Sequence, residues 1–130
     1  QEKMTPELKD RIENSNSIFY EGYVSEDELL DSICKFDIGM ATQNPELAFN
    51  LSSFPSKIIK YLSCGLSVIS TKSKSVLDSP FKDAVSFYDL NDADSFNEAV
   101  QNAQTKINSI EFIQDLNDKF FIELMELLEK

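Results

Sequence analysis

Asn50-Leu-Ser-Ser-Phe-Pro-Ser-Lys-Ile-Ile-Lys-Tyr-Leu-Ser-Cys-Gly-Leu-Ser-Val-Ile-Ser-Thr71 is the stretch on which the fold of this chain turns. Pro55 suits the first turn of a helix, where a missing N–H is harmless, and Gly65 suits the position just past its end, where φ must be positive. Between them Ile58, Ile59 and Leu62 recur at the spacing of a buried stripe, while Ser53, Ser56, Lys57 and Lys60 share the other side. Leu66 to Ile69 is apolar, β-branched and too short for a helix. The unit therefore reads as helix, glycine turn, buried strand.

Outward from this unit the charge pattern changes sharply. No Asp or Glu lies between Glu46 and Asp78, yet Lys57, Lys60, Lys72 and Lys74 all do, in a chain whose formal net charge is -11. A helix start offers unpaired N–H donors and the positive end of a dipole, so serines and lysines beside it suit a phosphate or diphosphate. The competing reading is a solvated helix face with extended lysine stems.

Toward the amino terminus, Thr5 and Pro6 open a helix that the Asn14–Ser17 cluster ends. Ile18 to Val24 has strand character, opened at Gly22. Ser25 and Glu28 form a capping box, starting a helix that carries Leu29, Leu30 and Ile33 and ends near Phe36. Asp37 to Thr42 reads as a second strand. Toward the carboxyl terminus, Ser75 to Leu77 makes one helical turn before Pro80, and Ala84 to Asp89 is a fourth strand. Asp92 or Asp94 caps a helix bearing Phe96, Ala99, Val100 and Ala103. A long or twice-bent amphipathic helix fills Ser109 to Lys130. Strand and helix alternate, which predicts an α/β fold, a three-layer sandwich around a mainly parallel sheet, with ligands received beyond the carboxyl ends of the strands.

At 130 residues the chain (1–130) is read as one domain with an ordinary apolar fraction, enough for a core. The acidic balance and the single arginine, Arg11, argue against a nucleic-acid surface. With no histidine, Ser-His and Cys-His catalysis within the chain is excluded. The three glycines stand too far apart for a Walker A or G-x-G-x-x-G loop. Cys34 and Cys64 sit in apolar helical patterns without metal-ligand spacing, so buried reduced thiols and no bound metal or cofactor are expected, with a cytoplasmic setting. Asp92-Ala-Asp94 has the look of a metal-binding D-x-D, but its place after a strand favours a helix cap. Gln1 to Pro6 does not read as a signal sequence, and no apolar run in the sequence approaches the roughly 20 residues expected of a membrane span.

The run Phe54-Pro-Ser-Lys-Ile-Ile-Lys-Tyr-Leu-Ser-Cys-Gly-Leu-Ser-Val-Ile-Ser-Thr71 resembles the "FPSK-x-x-E-Y-L-A-x-G-K-P-V-I-S-T" segment of bacterial GT-B glycosyltransferases, particularly the large retaining group 4 that builds capsule and surface polysaccharides. Ile18–Val24, Glu28–Met40 and Ala84–Asp89 resemble that family's flanking segments, in the same order. The resemblance covers roughly residues 16 to 105. It implies the Rossmann-like carboxy-terminal domain of such an enzyme, which holds a nucleoside-diphosphate sugar while an amino-terminal domain holds the saccharide or lipid-linked acceptor. By resemblance Tyr23 and Val24 lie against the base, and Ser56 and Lys57 approach the diphosphate or ribose. Lys60 and Ser52 stand where the family carries the two carboxylates of an E-x7-E motif, so donor contacts are altered, and a divergent donor or a degenerate site are both open.

Two strand–helix units that normally begin that domain have no counterpart, so the resemblance is to the back part of a truncated GT-B carboxy-terminal domain. With those units missing, Ile18–Val24 either pairs directly with Asp37–Thr42 or leaves a sheet edge for a second copy to cover, giving a homodimer. The expected function is donor binding within a glycosyltransferase that stands in the cytoplasm, free or peripheral to the inner membrane face. The chain alone is expected to be inactive, with no catalytic residue of its own. The alternative is a noncatalytic α/β interaction module acting by its acidic surface or its Phe-rich last helix.

Overall fold

The computed structural model describes residues 4–48, 53–103 and 108–129. Among them lie α1 (Pro6–Glu13), α2 (Glu26–Ile33), β1 (Ile38–Ala41), α3 (Lys57–Ser63), β2 (Ser67–Thr71), α4 (Lys74–Leu77), a 3-10 turn (Pro80–Ala84), β3 (Val85–Tyr88), α5 (Ala93–Ala103) and α6 (Ser109–Leu128). The protein is α/β, with a small open sheet whose three strands run parallel in the order β1-β2-β3. Parallel neighbours need a crossover between them, and α3 supplies the one from β1 to β2.

The central strand buries both faces, as its run of apolar residues requires. Val68 joins Ile58 and Leu62 of α3, with Ala41, Val76 and Val85, and Phe112 and Ile113 of α6 pack against that cluster. Ile69 faces the other way, with Tyr88, Ala99 and Ala103, and Phe96 packs beside them. One cluster is extended by a chain of rings, Phe54 to Phe81 at 5.2 Å and Phe81 to Phe112 at 6.2 Å. In the other, Tyr88 and Phe96 meet edge to face at 5.3 Å.

The helix–glycine–strand unit forms as expected, with a shift at its start. The chain turns through Pro55, whose carbonyl accepts from Ile58 N–H at 3.0 Å, and the helix proper begins at Lys57. At the other end Leu66 N–H reaches the Tyr61 carbonyl and Gly65 N–H the Leu62 carbonyl, a Schellman closure with Gly65 at φ +82. Gly39 has a different task. A Cβ there would fall 2.8 Å from the Tyr61 Cβ and closer still to its ring, so glycine lets α3 lie directly on β1. The hydroxyl of Ser109, buried, donates to the Leu66 carbonyl at 2.8 Å and fixes the start of α6 on the start of β2.

Two expectations need correction. Ile18 to Val24 forms no strand and joins no ladder, so β1 keeps a free outer edge among the described residues. β-prone side chains do not make a strand without a partner backbone. The thiols are not buried in helix stripes, because Cys34 and Cys64 are the C-caps of α2 and α3; Cys34 is exposed and Cys64 partly so. The last helix is one long element, the first of the two forms expected, and beyond Leu116 its residues through Glu129 are all exposed. No helix among the described residues is long and apolar enough to cross a membrane.

Candidate functional site

The groove between α2 and α3 is where the basic island meets a concavity. A cleft of about 450 Å³ is lined by Leu29 and Ile33 from α2 and by Ser56, Lys57, Lys60 and Tyr61 from the start and exposed side of α3. Its size and make-up, apolar walls with a few polar groups, are those of small-molecule sites. The local sequence explains both walls. Leu29 and Ile33 stand four apart on α2, whose start is held by the reciprocal Ser25–Glu28 box. Lys57, Lys60 and Tyr61 stand three and four apart on α3, while Ile58 and Leu62 of the same helix go into the core.

The four lysines of the island separate into two kinds. Lys72 pairs with Asp89 at 2.7 Å and Lys74 with Asp78 four residues on, so these two are neutralised away from the cleft. Lys60 pairs across the groove with Glu26 at 3.1 Å. Lys57 has no carboxylate partner among the described residues. The cleft therefore holds one cation free to meet an anion and one shared between its two walls. The Lys60–Glu26 pair is open to solvent, and such a pair contributes about 1 kcal/mol or less.

Of the residues expected at the site, Ser56, Lys57 and Lys60 come together in this cleft. Ser56 is the N-cap of α3, but its hydroxyl makes no capping bond, which leaves it available to a ligand. Tyr23, 85% exposed, and Val24 precede α2 and do not line the cleft. Ser52 lies outside the described residues. Leu29, Ile33 and Tyr61 were not anticipated as wall residues; the (i, i+4) pairs Leu29/Ile33 and Lys57/Tyr61 carry that signal, once α2 and α3 are known to be neighbours.

The rim beyond the carboxyl ends of β1 and β2 is tied by hydroxyls. Thr71 donates to the Gln43 carbonyl at 2.6 Å, and Ser75 donates to the Ser53 carbonyl at 3.1 Å, which pins the approach to α3. Burial raises the Tyr61 hydroxyl above its ordinary value, and the same is true of Tyr88. At Asp92 the side chain accepts from Ser95 N–H at 2.9 Å, so Asp92 is the helix cap and the D-x-D spacing has a structural use.

Comparison of the chain with protein-family models, with curated proteins and with solved structures finds no match.

Proposed function

We propose that this chain is the nucleotide-sugar-binding, carboxy-terminal portion of a GT-B glycosyltransferase of polysaccharide, capsule or lipopolysaccharide synthesis. The observation that carries this reading is the α2–α3 cleft, where an unpaired Lys57 and an uncapped Ser56 stand beside the apolar wall of Leu29, Ile33 and Tyr61. A nucleoside diphosphate matches that division: its phosphates take the lysine and hydroxyl, and its base or sugar takes the apolar side. The FPSK-like run at Phe54–Lys57 supports the same assignment. Lys60 replaces the family's carboxylate, and Glu26, 3.1 Å from its amine, returns a carboxylate to the cleft's edge from the facing helix.

In this reading the three strands are part of a larger Rossmann-like three-layer sheet, and further strands of the full domain, or a second copy, add at the free edge of β1. Alone the chain binds donor without turning it over, because the acceptor belongs to an amino-terminal domain. Titrating UDP, GDP and their sugars while following NMR amide shifts tests the proposal. Residues Ser56 to Tyr61 should move, and unmoved amides at saturating ligand would count against it. One observation favours the second reading, a noncatalytic interaction module: the last turns of α6 expose Phe120, Phe121, Leu127 and Leu128. Absence of any nucleotide effect, with that helix protected in a complex, would favour the module.

A further inference from the structure

The two cysteines lie 30 positions apart, yet the fold delivers them to one place. Cys34 caps the end of α2 and Cys64 the end of α3, and each is followed within four residues by the first residue of a strand. Those first residues, Ile38 and Ser67, are register partners in the parallel ladder, and Ser67 N–H donates to the Asp37 carbonyl at 2.9 Å. Holding two parallel strand starts side by side sets the two preceding helix ends side by side. The Cys34 thiol lies near enough to raise the Cys64 thiol above its ordinary value. Cys34 is exposed, and a hollow of about 400 Å³ lined by Phe36, Asp37, Ile38, Gly65 and Ser67 opens between the same two chain segments.

We propose that Cys34 and Cys64 are a reversible dithiol–disulfide site, a redox tie between the ends of the two helices that wall the cleft. It holds whatever ligand the cleft takes. The oxidant is a small-molecule disulfide of the glutathione class. The Cys34 thiolate attacks one of its sulfurs, the small S–S bond breaks and one small thiol leaves. Cys64 then loses its proton to solvent and attacks the Cys34 sulfur of the mixed disulfide, and the second small thiol departs. Two electrons pass from the protein dithiol to the small disulfide, and two thiols are released. The neighbouring Cys34 thiol, with burial adding, pushes the Cys64 thiol up to about 11, and Cys34 is the more exposed of the two, so Cys34 is the sulfur that meets the oxidant first.

The tie has something to restrain. α2 contributes no buried residue, and Lys60–Glu26 is the ion pair that links it to α3. A covalent bond at its end therefore limits how far the cleft opens.

The test equilibrates the full chain in glutathione buffers of graded poise, followed by acid quench, intact mass, peptide mapping and amide hydrogen exchange. At the oxidising end we expect a monomer lighter by about 2 Da, the mass of two hydrogens. A peptide linking Cys34 to Cys64 should appear with it, and amides of Glu26–Ile33 should exchange at least about threefold more slowly. Cys34→Ser and Cys64→Ser should each abolish the linked peptide. Should Cys64→Ser fail to fold, the exposed Cys34→Ser still provides the control. A lasting glutathione adduct on the wild-type Cys34, a disulfide-linked dimer, free thiols at the oxidising end, or a linked monomer with unchanged exchange in α2 would each overturn the proposal.

Discussion

Residues 57–88 and residues 4–36 are of nearly equal length and both carry apolar residues at regular spacing, yet they end in different conditions. The first stretch supplies Ile58, Leu62, Val68, Ile69, Val76 and Val85, all essentially excluded from solvent. In the second, no residue is buried; Leu29 is 39% exposed and Phe19 is 83% exposed. The difference is one of partners rather than composition. β2 has a strand on each side, and α3 lies on the sheet it connects, whereas α1 and the segment up to Val24 have no layer to cover them. A helix caps itself from local sequence, as Thr5 and Ser25 show, but it buries a stripe only where another element waits.

The largest effects that separate the two regions are cavity substitutions. Leu62→Ala should lower unfolding stability in guanidinium by about 2–5 kcal/mol. Leu29→Ala should lower it by less than about 1 kcal/mol. Comparable losses would erase the distinction. Next, Gly39→Ala forces a methyl into the Tyr61 side chain, and a loss of about 1–3 kcal/mol with an unchanged m-value is expected. A neutral result would mean that α3 stands off β1.

Ser25→Ala removes the hydroxyl half of the α2 box and leaves the backbone N–H of residue 25 donating to Glu28, a local effect of about 1 kcal/mol. Hydrogen exchange should report it in Glu26–Ile33 and leave β2 unchanged; a cooperative loss in β2 would mean that the two regions unfold as one.

Smallest are the pH effects, which run in opposite directions. The hydrogen bonds from Ser25 hold the Glu28 carboxyl below its ordinary value, so the box is intact above the unfolded pKa and is lost as pH falls through the folded one. The Tyr61 and Tyr88 hydroxyls are raised by burial. Their contribution is complete below the ordinary value near 10 and lost as pH rises through the raised one. NMR should therefore show acid loosening α2 while the sheet persists, and alkali loosening the core first. A sheet that melts with α2 in acid would contradict this.

Much of this contrast is legible in the sequence. Pro55, Gly65 and the Ile58/Leu62 stripe announce α3 and β2, and Ser25–Glu28 announces α2, because caps and stripes are local signals. Ile18 to Val24 misleads for the complementary reason: its aromatic and β-branched residues suit a strand, but a ladder is a tertiary fact. Of the site, Ser56, Lys57 and Lys60 are readable as one cationic face. The Leu29/Ile33 wall and the meeting of Cys34 with Cys64 are not readable, because both depend on α2 and α3 running side by side, which the β1–β2 register decides.

The lysines put the account to its most direct trial, since Lys57 faces the cleft unpaired and Lys72 is held by Asp89 elsewhere. Calorimetric titration of UDP and GDP into the wild type, Lys57→Ala and Lys72→Ala should show Lys57→Ala weakening diphosphate binding roughly tenfold, about 1.4 kcal/mol, with Lys72→Ala close to wild type. Equal weakening by the two substitutions, or no diphosphate binding by the wild type, would contradict it.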